Sequence, residues 1–208
     1  MAETLRADAL RNREQILAAA RRLLVEYGPD HPLEDIARAA GVGIGTLYRR
    51  FPDRAALVDA VISNGMDQLV AAAETALDEE PDAWSALCRF VRFCVSMRLG
   101  GLSSVIDAQR HEAIRLQPET IRRRLVLTAA LGRMVRDAQA DGMLRTDVDV
   151  GDIGMVINVH VRQSAGLAHL EASVDARLAE LLLAGLRAAA EPEFPLPGVP
   201  LTGPDIGG

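Results

Sequence analysis

The sequence predicts an all-α protein of about nine helices: a short N-terminal three-helix unit followed by a larger C-terminal helical body. Three observations predict it. Apolar residues recur at i, i+3, i+4 and i+7 along most of the chain, the period of a helix with one buried face. Hydrophobic residues make up 49% of the 208 while aromatics make up only 3%, an alanine-rich balance that suits packed helices. Scattered glycines and prolines, Gly28, Gly41, Gly100-Gly101, Pro118 and Gly142 among them, mark the ends of periodic stretches. The length suffices for a small domain plus a second one with its own core.

The first helix runs from about Asp8 to Tyr27, with Ile16, Ala20, Leu23, Leu24 and Tyr27 on one face, and stops at Gly28. The second carries Leu33, Ile36, Ala37 and Ala40 as a stripe about two turns long. Pro32 suits its first helical position, which leaves Asp30 or His31 to cap it. Gly41 ends it, because the left-handed backbone that often follows a helix costs glycine nothing. Val42 returns to the core, and a third helix points Leu47 and Phe51 inward, leaving Thr46, Tyr48, Arg49 and Arg50 on its outer side or ends. Small Ala37, turn Gly41 and apolar Leu47 let the two helices cross closely at a steep angle, as a helix-turn-helix requires. An ordinary αα-corner uses the same residue types.

The fourth helix follows Pro52-Asp53, with Asp53 as its cap and Leu57, Ala60 and Val61 inward, and runs to about Leu77 as a bridge between the two units. Gly65 is a point where it bends or loosens. Beyond the acidic break at 78–82, a helix from Ala83 to Leu99 has two apolar stripes, Trp84, Leu87, Cys88, Val91, Cys94 and Val95 on one and Phe90, Phe93 and Met97 on the other. A helix apolar on most sides is buried by neighbours. Gly100-Gly101 ends it, a short helix covers Leu102 to about His111, and a long one spans Pro118 to Ala140 before a turn at Asp141-Gly142. The last two helices run from about Val150 to Leu170 and Val174 to Ala190. In the final one Leu178, Leu181, Leu182 and Gly185 form a stripe widened by Leu183 and Leu186. The tail from Glu191 holds five of the ten prolines and four glycines and is expected to be disordered or loosely draped. The expected domains are therefore residues 1–62, 63–190 and the tail 191–208.

Residues Ile16 to Val61, above all the run from Ala40 to Leu57, resemble the N-terminal domain of the TetR family of bacterial one-component transcription regulators. Gly45-Thr46-Leu47-Tyr48 with Phe51 and Leu57 carries most of the resemblance, which covers under a third of the chain. It implies a homodimer that binds double-stranded DNA at a palindromic operator through two recognition helices about one helical turn apart, roughly 34–36 Å. Thr46 and Tyr48 would donate hydroxyl hydrogen bonds to phosphates, and Arg54 would stand in for the family's phosphate-contacting lysine. Base reading would fall to Gly43, Ile44, Gly45 and Arg49 or Arg50, with Ile44 against a thymine methyl and an arginine forked onto guanine. Blander roles stand beside these: Tyr48 as a partly buried core tyrosine, Arg50 as a solvated charge, Gly43 as an aid to the turn. The chain departs from the family where Gly43 and Ile44 replace a serine and a basic residue, which removes a hydroxyl and a charge from the phosphate side.

The net charge of −6 is unevenly spread. Residues 1–64 balance to zero, the remainder carries the negative charge, and within 38–54 Arg38, Arg49, Arg50 and Arg54 oppose only Asp53. Phosphate binding depends on that local field.

Several other chemistries lack their residues. Gly41-Val42-Gly43-Ile44-Gly45 has no preceding strand and has Thr46 where a dinucleotide loop needs glycine. His111-Glu112 lacks the second histidine of a zinc-protease helix, since Arg115 takes that place, and there is no nucleophile elbow. No enzyme activity, cofactor or metal is expected. Cys88 and Cys94 lie on one helix about 240° apart, which excludes a disulfide between them; burial is their commoner use, redox sensing the rarer one. The start of the chain lacks a basic, apolar leader and no apolar run nears the ~18 residues of a membrane span, so a cytoplasmic protein without a membrane partner is expected.

By the same reading the second domain houses a small-molecule effector site. Its candidates are Trp84, Phe90, Phe93, Met97 and Met134 as walls with His111, Asn158 and His160 as polar anchors. Core packing explains the apolar ones equally, and dimer hydrogen bonds would satisfy Asn158 and His160 as well as a ligand would. The function expected is a ligand-responsive repressor released by a small apolar effector. The alternative is a helical small-molecule-binding protein or an activator without repressor activity.

Overall fold

A computed structural model describes residues 2–28, 30–97, 108–163, 171–188 and 195–203. Nine helices follow one another among the described residues: α1 (Ala2–Tyr27), α2 (Leu33–Ala39), α3 (Ile44–Arg50), α4 (Arg54–Glu79), α5 (Ala83–Met97), α6 (Ala108–Arg115), α7 (Pro118–Ala140), α8 (Val150–Gln163) and α9 (Glu171–Leu186). The all-α expectation holds. The only β feature among these residues is an isolated bridge between Leu144 and Arg187. No described helix is long and apolar enough to cross a membrane. The first part of the expected short helix from Leu102, at 102–107, and the far end of the expected Val150–Leu170 helix, at 164–170, lie outside the described residues.

Two apolar cores organise the molecule. The smaller packs Ile16, Leu17, Ala20 and Leu24 of α1 against Leu33, Ile36 and Ala37 of α2, Leu47 of α3, Phe51, and Leu57, Val58 and Val61 of α4. The larger packs Ala73 and Ala76 of α4 with Leu87, Phe90, Val91 and Cys94 of α5, Leu131, Met134 and Val135 of α7, Ile153 of α8, and Leu183 and Leu186 of α9. Each fully buried leucine, isoleucine, valine, phenylalanine or methionine among them contributes about 1.5–3 kcal/mol by leaving water. α4 alone supplies both cores, and it runs unbroken through Gly65, which is buried. The helix is therefore not interrupted at the glycine where the sequence suggested a bend or loosening.

Helix ends follow the local chemistry. Ala40 closes α2, Gly41 sits at φ +67°, its N–H donates to the Arg38 carbonyl and that of Val42 to the Ala37 carbonyl. Gly142, at φ +69°, ends α7 with the same pair of bonds, to Gln139 and Ala138. This two-bond closure satisfies carbonyls that a helix end otherwise leaves open. Asp53 caps α4 by accepting from the Ala56 N–H at 2.7 Å. The cap expected of Asp30 or His31 on α2 is not made: Pro32 holds that position, no side chain caps it, and the Pro32 carbonyl accepts from Asp35 and Ile36.

Three further expectations are corrected. Tyr27 does not join the buried face of α1; it is 60% exposed and its ring stacks on His31 at 4.9 Å. On α9 the buried side is Ala179, Leu183 and Leu186, while Leu178, Leu181 and Gly185 of the expected stripe face outward. In the tail, residues 195–203 are pinned. The Leu196 N–H donates to Asp147, the Leu201 N–H to Asp152 at 3.1 Å, and the Gly151 N–H donates back to the Leu201 carbonyl at 2.8 Å. A Cβ on Gly151 would lie 2.3 Å from that carbonyl oxygen, so the close approach depends on glycine. Composition pointed to a disordered or loosely draped tail; Asp147, just before α8, and Asp152, in its first turn, supply acceptors for two of the tail's N–H groups.

Candidate nucleic-acid interface

The local sequence sets α3 apart as a seven-residue rod with one anchored side. Leu47 is fully buried and Phe51 nearly so, whereas Ile44, Tyr48, Arg49 and Arg50 are exposed. With Leu47 seated in the smaller core, the residues flanking it turn to solvent by helical geometry. Tyr48, 46% exposed, stands outside that core, which sets aside its role as a core tyrosine. Thr46 is half-buried, and its hydroxyl oxygen accepts from Arg49 Nη2 at 3.0 Å. A hydroxyl that accepts keeps its own O–H as a donor. Arg50 makes no hydrogen bond or ion pair with the described residues.

The glycines before the rod are informative. Gly43 has φ −69° and ψ 145°, a conformation open to any residue, and a Cβ on Gly43 or Gly45 would meet nothing within 4 Å. Neither the turn nor the packing needs glycine there, so the aid-to-the-turn role of Gly43 falls away. What the two glycines do is keep the approach to the backbone of α3 bare.

The positive field is narrower than the sequence count implies. Arg38 pairs with Asp35 at 3.0 Å, and Arg54 is half-buried with Nη1 donating to the His31 carbonyl at 2.7 Å. Arg49 and Arg50, at the C-terminal end of α3, carry the charge that faces outward. Arg13 lies with its guanidinium 5.9 Å from the centre of the Phe51 ring, a cation–π contact that ties α1 to the end of α3. Sequence reading offered His31 only as a possible cap. The residue is half-buried, and its Nε2 is buried without a hydrogen-bond partner among the described residues, 3.6 Å from an Asp35 oxygen.

The residues proposed as effector contacts are split. Phe90 and Met134 lie in the larger core with Trp84 packed against it. Phe93 is half-buried and Met97 buried outside that cluster, the Met97 sulfur receiving Arg21 Nη1 from α1, whose other contact is the Gln68 amide oxygen of α4 at 3.1 Å. His111 lies on α6, Asn158 and His160 on α8, and their side chains lie outside the described residues. Cys88 and Cys94 are both buried and free, and burial pushes both thiols upward, Cys94 furthest.

Residues 16–61 match the family model of bacterial regulatory proteins of the TetR family, and residues 80–188 match the C-terminal domain of SbtR-like transcriptional regulators. The crystal structure of the TetR transcriptional regulator SCO0520 from Streptomyces coelicolor superimposes with a TM-score of 0.66 at 33% identity, over 86% of this chain and 99% of that one. The chain belongs to the TetR family. A TetR regulator from Mycobacterium vanbaalenii is similar to the same degree, with 33% identity, 88% and 99% coverage and a TM-score of 0.64. An HTH-type transcriptional regulator of Staphylococcus aureus, SAR0097, is 39% identical over 77 residues, which is 36% of this chain and 40% of that regulator. This TetR-family member is a transcription regulator with a DNA-binding helix-turn-helix, and not an enzyme.

Proposed function

We propose that this TetR-family regulator binds a near-palindromic operator as a homodimer, represses transcription there, and is released by a small, largely apolar effector. The observation that carries the reading is the polarity of α3: Leu47 anchors it inward while Ile44, Tyr48 and Arg50 stand out beside two bare glycines. Thr46 and Tyr48 hold phosphates and fix the register; Ile44 with Arg49 or Arg50 reads base edges across the gap that Gly43 and Gly45 leave.

One short helix spans only a few base pairs, so useful specificity needs two of them related by a dyad. Met155 and Val156 of α8 with Leu178 and Leu181 of α9 are exposed apolar residues on the last two helices, which supports a dimer built there. α4 contributes to both cores and couples them. An effector acts only through its different affinity for two dimer arrangements with different spacing of the α3 pair. Footprinting on DNA upstream of the protein's own gene, repeated across a salt series, tests the reading. A protected two-fold site whose affinity falls steeply with salt is the expected result, and a salt slope near zero favours a small-molecule carrier instead.

A further inference from the structure

We propose that Arg54 is a positioning residue for DNA binding: it staples the first turn of α4 to the α1–α2 corner and thereby sets the pitch of α3, instead of meeting a phosphate. The proposal rests on α3 being the DNA-binding rod.

The geometry at Arg54 has three parts. Its guanidinium is half-buried and donates to the His31 carbonyl at 2.7 Å, the length of a strong charge-assisted bond. Its place in the first turn of α4 is one where the helix dipole disfavours a cation and where Asp53 already serves the free N–H groups. A carbonyl outside the helix is therefore the better partner. The acceptor, finally, is itself fixed: the His31 ring stacks on Tyr27 at the end of α1 with an interplanar angle of 23°, and its Nε2 faces Asp35 of α2.

Through His31, this side chain thus links the start of α4 to the end of α1 and the first turn of α2. α3 hangs between α2 and α4 on connections of a few residues at each end, 40–43 and 51–53. With Leu47 and Phe51 anchored below, the separation of α4 from the corner decides how far α3 tilts out. Losing the staple tilts the rod without removing any group that touches DNA. A phosphate contact and a positioning role separate cleanly in the salt dependence, since a lost phosphate contact lowers the log–log slope by about 0.9 while a lost position does not.

The test uses the full chain at 25 °C and a fluorescent duplex selected from a random library by the wild-type protein. Arg54→Gln is expected to weaken binding about tenfold with the salt slope unchanged. Without DNA, the same variant shifts the carbonyl carbon resonance of His31 and speeds amide exchange at Ala56 and Leu57. Arg54→Met keeps the aliphatic stem and serves as the second variant, with circular dichroism establishing that each is fully folded at the temperature of the assay. A slope shallower by about one, an affinity equal to wild type, or an unmoved His31 carbonyl overturns the proposal. A wild-type chain that selects no duplex overturns the DNA-binding reading of α3, and the His31 resonance still decides whether the staple exists.

Discussion

At the scale of single residues, Gly41 and Gly43 make the sharpest contrast, being the same residue type two positions apart with opposite reasons for being there. Gly41 sits at φ +67° with open space around it, so Gly41→Ala costs about 1–2 kcal/mol from backbone strain alone. Gly43 has an ordinary φ and the same open space, so Gly43→Ala leaves stability level or raises it by up to about 1 kcal/mol. Denaturant melts of the two variants check the difference, and only the Gly43 variant is expected to lose operator affinity while gaining stability. Arg50 is the other residue with a clear test. It has no partner among the described residues, so Arg50→Gln is expected to weaken DNA binding without moving the melt. If it reads a base, its loss costs about 1–3 kcal/mol at one position of the operator; if it meets a phosphate, the loss is uniform across sequences and the salt slope falls by about one. The bases of these roles differ in how far the sequence reveals them. Gly41 was readable because a helix stripe stops at it. The bare approach at Gly43 was not, since nothing local distinguishes a glycine that turns the chain from one that merely lacks a side chain.

The elements show where periodicity succeeds and where it does not. α7 has the bounds its proline and its Asp-Gly turn predict, and α4 starts at the Asp53 cap. Stripes on α9 were harder, because leucines surround most of that helix and composition does not say which arc meets α5 and which stays open. The tail was illegible for a different reason. Its bonds are made by backbone amides to Asp147 and Asp152, carboxylates about fifty residues away in sequence. Asp147 is held well below its ordinary 3.8, first by Arg145 and then by the Leu196 N–H. A carboxyl lowered in the folded state adds stability that is full above its unfolded value and is lost as pH falls toward the folded one. Acidification from about pH 4 toward that much lower folded value is therefore expected to loosen the Leu196 contact progressively, before α8 frays. Hydrogen exchange at Leu196, followed from neutral pH downward, checks it. Protection that vanishes together with that of Ile153 would mean the tail has no separate transition.

For the whole molecule, the arrangement of two cores along one continuous helix accounts for most of what a TetR-family regulator must do. Under the proposed mechanism, a change in the larger core reaches α3 through α4, which contributes to both cores. The sequence made the smaller core legible in detail and the larger only as helices, since effector and dimer surfaces are defined by what they face across the fold. The dimer proposal has a direct test in Leu181→Glu, an outward residue 59% exposed whose replacement leaves the interior untouched. Sedimentation is expected to give a folded monomer that has lost most of its operator affinity, and an unchanged dimer would move the interface elsewhere. The aromatic residues divide along the same boundary. Both tyrosines, Tyr27 and Tyr48, stand exposed on the DNA-binding unit, and the sole tryptophan, Trp84, leans on the larger core. Intrinsic fluorescence consequently comes in two spatially sorted colours, indole emission from beside the larger core and phenol emission from the DNA-binding unit, so an unlabelled solution reports on each separately.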